Sequence, residues 1–160
     1  MPEQEHAERL APAIYGTILS TALIAAYSED SSSDPWQIAL AVFVAAVIFW
    51  LAHAYADVLA RGLALRERAS FARARAELAR ERPMVTGAIL PILPLLLAPL
   101  GILSDYGAEN AAIITGVALL GVVGVAIAWR RGEGPLGIAF NAAGCLTFGV
   151  VVVALKAIVH

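Results

Sequence analysis

Residues 36–60 have the sequence WQIALAVFVAAVIFWLAHAYADVLA, and residues 61–82 continue it with RGLALRERASFARARAELARER. The first stretch is longer than the about 20 residues that a helix needs to cross about 30 Å of hydrocarbon. His53 and Asp57 are its ionisable groups. The second stretch carries seven arginines. Together they predict a membrane-spanning helix followed by a connection that positive charge holds on the cytoplasmic side.

The composition of the whole chain agrees with a membrane protein. Of its 160 residues, 60% are hydrophobic and 15% are charged, and the mean hydropathy is +0.77. A soluble domain has about 25% charged residues, so this balance excludes an ordinary soluble protein. Cys145 is the single cysteine, which excludes an intrachain disulfide and a cysteine-based metal cluster. We therefore predict an all-α integral membrane protein.

Five apolar stretches are long enough to be membrane spans. They cover about residues 10–27, 36–60, 84–103, 111–129 and 136–159. The remaining residues form short connections, so we predict a single membrane domain over residues 1–160, with the Arg-rich connection at 61–82.

The charges of the connections alternate. Ten of the eleven Lys and Arg residues lie before the first span, between the second and third, or between the fourth and fifth. The connections at 28–35 and 104–110 contain only acidic charges. The positive-inside rule then places the amino terminus inside and the carboxyl terminus outside, in a multi-pass protein of the cell (inner or plasma) membrane. Lys156, the exception, can reach the outer headgroups from the last turn.

The sequence disfavours two other topologies. A cleaved signal peptide in place of the first span is disfavoured, because Glu3, Glu5 and Glu8 precede it where a positive region is expected. A re-entrant third segment would put the Arg-rich connection and the acidic 104–110 connection on the same side of the membrane. The charge pattern therefore favours five spans.

The Arg-rich connection is alanine-rich and lacks Gly and Pro between Leu63 and Arg82, which predicts one helix that Pro83 stops. Seven arginines minus three glutamates give it a net charge of +4. It can lie on anionic lipid headgroups, at about 1 kcal/mol for each basic residue near the surface. Packing against the same helix of another subunit is an alternative, and nucleic acid is not expected as a partner. The predicted lipid-binding residues are Arg61, Arg66, Arg68, Arg73, Arg75, Arg80 and Arg82.

His53 and Asp57 are the predicted transport residues of the second span. Trp50, His53, Asp57 and Arg61 are three or four positions apart, so they share one side of the helix. Asp57 is placed to pair with Arg61. His53 lies about 12 Å inside Arg61, at 1.5 Å per residue. Ionisable groups at that depth mark ion or proton paths by default, although a neutral, hydrogen-bonded structural histidine is the alternative.

The later spans carry proline and small residues. Pro91, Pro94 and Pro99 each remove a helical hydrogen bond, so the third span should be kinked or locally open. Such breaks line some transporter sites and elsewhere serve shape alone. Small residues predict close packing of the last two spans: Ala112, Gly116, Gly124 and Ala128, and Gly137, Asn141, Cys145 and Gly149. Asn141 is predicted to hydrogen-bond across that interface, or to line a pore.

The carboxyl-terminal half resembles the last three membrane helices of the vacuolar iron transporter family. Gly87, Pro91 and Pro94 match a Gly-x-x-x-Pro-x-x-Pro pattern in that family's third helix. Ile14-Tyr15-Gly16 is similar to the Ile-Phe-Gly that opens its first helix, and Tyr55 to a tyrosine late in its second. The resemblance implies five helices, an inside amino terminus and a basic connection after the second helix.

The departures from that family concern its ion chemistry. Ile18-Leu19-Ser20 stands where the family has Asn-Asp-Gly, and Ala54 where it has a glutamate. The family's Glu- and Met-rich metal-binding insertion is also missing, and the Arg-rich connection takes its place. The resemblance therefore implies the family's helix arrangement without its iron-transport residues.

Two functions follow as expectations. The first is a small cation or proton transporter that uses His53 and Asp57; the second is a non-transporting scaffold or regulator whose Arg-rich segment binds anionic lipid or a partner. A homo-oligomer, with a dimer favoured, suits both. Enzyme activity and a cofactor are not expected, because the chain has no Gly-rich phosphate loop and no Ser/His/Asp set, and its three histidines are scattered.

Overall fold

The protein is all-α in the computed structural model, which describes residues 2–28, 34–65 and 70–159. Its helices are α1 (Pro2–Tyr27), α2 (Pro35–Leu65), α3 (Phe71–Arg80), α4 (Arg82–Ile92), α5 (Asp105–Arg130) and α6 (Pro135–Val159). A 3-10 helix, Leu93–Leu97, continues α4.

Among the residues that the structure describes, three helical stretches are long and apolar enough to cross a membrane: Leu10–Tyr27, Pro35–Leu63 and Asp105–Arg130. They correspond to the first, second and fourth predicted spans. A shorter apolar stretch, Pro135–Thr147, lies at the start of α6. The prediction of an all-α membrane protein is therefore confirmed, and the count of five spans stays a prediction.

Helix α1 lies at the centre of the bundle, where it packs against α2, α4, α5 and α6. Its carboxyl-terminal half contributes Ile24 to a core that includes Ile38 and Val42 of α2 and Leu95 of the 3-10 helix. Ile24 and Val42 are completely buried. This core holds the carboxyl-terminal half of α1 against the start of α2, at the end of the bundle opposite α3.

Helices α1 and α4 cross in close contact at two glycines, one on each helix. A Cβ on Gly16 would meet the backbone oxygen of Met84, and a Cβ on Gly87 would meet the backbone oxygen of Ala13. Only glycine, whose side chain is a hydrogen atom, permits such contact. Small residues let helices in membranes approach closely and so gain van der Waals packing, because lipid supplies no hydrophobic driving force between helices.

A hydrogen bond reinforces the same crossing. Pro91 lacks the N–H that would otherwise bond the Gly87 carbonyl one turn earlier. The Thr17 hydroxyl lies 3.0 Å from that carbonyl oxygen and also 3.0 Å from the Ala13 oxygen of its own helix. Thr17 of α1 therefore offers a donor to the carbonyl that Pro91 leaves without its helical partner.

The third predicted span is not one regular helix. Helix α4 ends at Ile92, the chain tightens into the 3-10 helix, and turns follow until Gly101 adopts a left-handed φ of 70°. Pro91 lies inside α4, Pro94 at the start of the 3-10 helix and Pro99 in the turns. With 11 and 5 residues, the two helical parts together extend about 26 Å, somewhat less than a hydrocarbon core.

The predicted small residues of α5 pack against two different helices, α6 and α1. Ala112, Gly116, Gly124 and Ala128 are all buried on α5. A Cβ on Gly124 would meet the Asn141 backbone oxygen at 2.8 Å and Cys145 Sγ at 3.1 Å. On α6, Gly149 is buried against Val117. Gly124 and Gly149 therefore let α5 and α6 approach, as predicted. Gly116 differs, because a Cβ there would meet the Thr21 side chain of α1.

The Arg-rich connection differs from the single helix predicted between Leu63 and Arg82. Ser70 has extended backbone (φ −119°, ψ 150°), and its hydroxyl accepts the Arg73 N–H, so a new helix begins after it. The helix then ends at Arg80, and Pro83 lies in the first turn of α4 rather than stopping α3. Serine competes for backbone hydrogen bonds, and proline is tolerated in a first turn, which explains both differences.

Candidate functional site

Helix α3 folds back onto the second half of α2, and two polar contacts fix it there. The Trp50 indole N–H donates to the Leu78 carbonyl oxygen over 3.0 Å. Arg61 Nη1 lies 3.1 Å from Glu77 Oε1. Trp50 and Arg61 lie on the side of α2 predicted to be polar, so this side is the surface that receives α3.

Asp57 pairs with Arg80 of α3, across 2.9 Å. The predicted pair between Asp57 and Arg61 within α2 is replaced by two pairs between helices, Asp57 with Arg80 and Arg61 with Glu77. The sequence favoured the intrahelical pair because the two residues are four apart. The fold overrides it by bringing α3 alongside α2.

Two buried glutamates complete the ionic cluster. Glu77 and Glu81 are 5% and 4% exposed. Arg80 Nε lies 3.4 Å from Glu77 Oε2 and 3.5 Å from Glu81 Oε1. Arg80 thus contacts three carboxylates, and its removal would leave two of them nearly buried with fewer positive partners.

A cavity of about 380 Å³ adjoins this cluster, and we call it the α3-end cavity. Ala11, Pro12 and Tyr15 of α1 line it on one side, His53 and Asp57 of α2 on another, and Arg80, Glu81 and Met84 around the start of α4 complete it. The rings of Tyr15 and His53 are 5.9 Å apart and inclined by 33°. The cavity therefore brings together both predicted transport residues of α2, His53 and Asp57.

The inner side of the cavity is closed by close packing. Met84 is completely buried, and its backbone lies against Gly16. Beyond it, α1 carries buried Thr17, Ser20 and Thr21. The Ser20 and Thr21 hydroxyls both donate to the Thr17 carbonyl oxygen, over 3.1 Å and 2.7 Å. These hydroxyls serve the packing of α1, because each is satisfied by main chain.

Asn141, the third predicted transport residue, does not line the α3-end cavity. Its side-chain amide donates to Glu133 Oε2 over 2.8 Å and to the Gly137 carbonyl oxygen over 3.0 Å. Glu133 also lies 3.7 Å from Arg131. Asn141 therefore fastens the α5–α6 connection to the start of α6, and these bonds differ from the predicted bond across the helix interface.

The predicted lipid-binding arginines differ in their surroundings. Arg61 and Arg80 form the ion pairs described above, and Arg73 is half-buried. Arg75 and Arg82 are exposed. Arg66 and Arg68 lie outside the described residues. Much of the described charge therefore holds α3 in place, and Arg75 and Arg82 remain on the surface.

Glu77 and Glu81 are the cluster residues that the sequence did not single out. In the sequence they contribute only to the net charge of the Arg-rich connection, where they offset arginines. The available signal was their spacing: Glu77 precedes Arg80 by three positions, the distance at which helical side chains meet. Their partners on α2 could not be inferred, because that contact requires the turn between α2 and α3.

Within the part of the chain that the structure describes, no three His, Cys, Asp or Glu side chains are grouped so that they could hold a metal ion. Comparisons with protein-family models, with curated proteins and with solved structures find no match to this chain. The site must therefore be interpreted from its own geometry.

Proposed function

We propose that this chain is a small multi-pass membrane protein that moves a cation or a proton, with His53 and Asp57 as its ionisable transport residues. The α3-end cavity carries the proposal, because it places an imidazole, a carboxylate and the buried Glu81 around one space. In this proposal the positive-inside rule orients the cavity toward the cytoplasm.

The chemistry of the cavity suits a proton or a cation. A neutral imidazole has one nitrogen that donates a hydrogen bond and one that accepts, so it can pass a proton along a path. Asp57 stays next to Arg80, so it can serve as an electrostatic neighbour for a charge that reaches His53. Tyr15 supplies a phenol beside the imidazole. Ionisable groups in a membrane helix are costly, and a transport role accounts for keeping them.

A second copy of the chain would complete the path. The inner side of the cavity is closed by Met84, and His53 and Tyr15 are both exposed on the surface of a single copy. We therefore place the crossing beside His53, between two copies in a homodimer. The membrane arrangement would follow that of the vacuolar iron transporter family, while the residues of the path would differ.

Flux measurements in proteoliposomes test this function. The protein is reconstituted with a pH-sensitive dye inside, and separately with dyes for divalent metals, and the initial rate is measured after a gradient is imposed. His53→Ala and Asp57→Asn should each lower the rate at least tenfold. Asp105→Asn is the matched control, because it removes an exposed carboxylate in the first turn of α5. Wild-type rates in both cavity variants would overturn the proposal.

A second candidate is a scaffold that does not transport, in which the Arg-rich segment binds anionic lipid or a partner. The exposure of Arg75 and Arg82 favours it. Reversing both charges with Arg75→Glu and Arg82→Glu should then abolish the binding of anionic lipid, or the recovery of a partner, while flux is unchanged. Unaltered lipid binding and partner recovery by the double variant would count against the scaffold.

A further inference from the structure

A second concave surface, distinct from the α3-end cavity, lies on the other side of α3. This α2–α3 groove has a volume of about 580 Å³, within the range of about 300–1,000 Å³ that ligand pockets occupy. Leu51, Tyr55 and Val58 of α2 and Phe71, Ala74 and Leu78 of α3 form most of its lining. The lining is almost wholly apolar, so water is a poor occupant.

The groove is continuous with a surface that faces lipid if α2 crosses the membrane. Pro35–Leu63 is a candidate span, and its exposed residues Ile48, Leu51, Tyr55 and Leu59 are large and apolar. Leu51 and Tyr55 belong both to that exposed surface and to the groove. An acyl chain lying along α2 would therefore enter the groove without leaving an apolar environment.

The outer margin of the groove carries features of a membrane interface. Phe71, at the start of α3, is 86% exposed. Arg75 follows Phe71 by four positions, so it lies on the same side of α3, and it is exposed. An exposed aromatic ring beside a cation suits the boundary between acyl chains and headgroups. The charge of Arg75 complements a lipid phosphate.

We propose that the α2–α3 groove binds one acyl chain of an anionic phospholipid from the surrounding bilayer, with the lipid phosphate next to Arg75. Phe71 and Tyr55 lie beside the bound chain, and Leu78 and Val58 line the groove around it. The site depends only on the chain's being embedded in a bilayer, a condition that both candidate functions share. Lipid bound in this groove would contact both helices, so the lipid composition of the cytoplasmic leaflet would affect the packing of α3 against α2.

The test is native mass spectrometry of the full-length protein in detergent, titrated with phosphatidylglycerol or with phosphatidylcholine of the same acyl chains. A third arm uses glycerol phosphate, which has the phosphate without the chains. The proposal expects one tightly bound lipid, and a preference for phosphatidylglycerol over phosphatidylcholine of about fivefold, as one basic residue near an anionic lipid supplies. Glycerol phosphate alone should not bind measurably.

Two variants separate the chain from the headgroup. Ala74→Phe fills the groove, so it should lower the affinity for both lipids at least tenfold. Arg75→Ala should keep lipid binding and remove the roughly fivefold preference. The matched controls are Ala79→Phe, which adds the same ring at an exposed position of α3, and Arg130→Ala, which removes an exposed arginine at the end of α5.

The outcomes decide the proposal independently of transport. Unchanged lipid binding by Ala74→Phe, with the helix content of the wild type, would overturn the groove as the site. An equal loss with Ala79→Phe would also overturn it, because the effect would then not belong to the groove. A preference that survives Arg75→Ala would overturn the assignment of the phosphate. Loss of flux in His53→Ala leaves all three lipid results unaffected.

Discussion

The α1–α4 crossing and the α3 end of the bundle both contain polar groups in a mostly apolar chain, but these groups do different work. At the crossing, the single O–H of Thr17 lies within hydrogen-bond distance of the main-chain oxygens of Ala13 and Gly87. At the α3 end, Asp57, Arg80 and the buried glutamates form ion pairs around an open cavity. Polarity in a membrane helix is therefore not by itself a sign of an ion path. The hydroxyls bond to main chain where helices touch, whereas the charged groups lie beside a cavity.

The largest expected effect tests the closed region. Gly87→Leu places a side chain against the Ala13 backbone oxygen, and that backbone cannot yield. We expect a loss of about 3 kcal/mol in the free energy of unfolding, since overpacking a tight contact forces helices apart. Thermal unfolding in detergent measures it. Gly144→Leu is the control, because a Cβ on Gly144 meets nothing within 4 Å. Equal stability of the two variants would show that the crossing is not tight.

The next effect tests the charged region. Arg80→Ala leaves Glu77 and Glu81 nearly buried with fewer positive partners, and we expect a loss of about 2 kcal/mol. The loss should appear as faster hydrogen exchange of the α3 amides, measured by mass spectrometry. Arg82→Ala is the control, because Arg82 is exposed, and its effect should stay within about 0.5 kcal/mol. Identical exchange in both variants would mean that the ion pairs do not hold α3.

The smallest expected effect tests whether the Thr17 hydroxyl bonds to the Gly87 carbonyl because Pro91 has no N–H to do so. Thr17→Val should cost about 1 kcal/mol, as hydrogen bonds between membrane helices do. In a Pro91→Ala background the residue at 91 regains an N–H for the Gly87 carbonyl, so the same substitution should cost less. Thermal unfolding of the wild type, the two single variants and the double variant measures the coupling free energy between positions 17 and 91.

Thr147→Val is the control for that cycle. Its hydroxyl donates to the Ala143 carbonyl oxygen of its own helix at an exposed position. Its cost should be the same with proline or alanine at position 91. A Thr17→Val cost that is also independent of position 91 would break the proposed link between the threonine and the proline.

Much of the fold could be predicted from local sequence. The stretches at 10–27, 36–60 and 111–129 predicted helices that the structure contains, because length and apolar composition alone decide whether a helix suits a bilayer. The small residues on α5 predicted its buried side for a similar reason: Gly and Ala allow close approach wherever the partner helix lies. The irregular third span was also predictable, since proline acts on its own helix.

The site was less predictable, because its pairs join distant parts of the chain. His53 and Asp57 stood out as ionisable groups in an apolar stretch, and both line the cavity. The predicted partner of Asp57, Arg61, was wrong. The prediction used the spacing of four residues within one helix, but the turn after α2 brings Arg80 close to Asp57 instead. Asn141 bonds Glu133 in a connection whose shape the sequence does not specify.

The sequence by itself determined that this chain is an all-α membrane protein with arginines gathered between its second and third apolar stretches. Those properties follow from composition and from how each segment interacts with lipid and water. Only the tertiary structure decided that Arg61 and Arg80 bind carboxylates, that Thr17 serves Gly87, and that a cavity opens beside His53. Each of these depends on which helices touch, and contacts between helices are set by packing of the whole bundle rather than by any one segment.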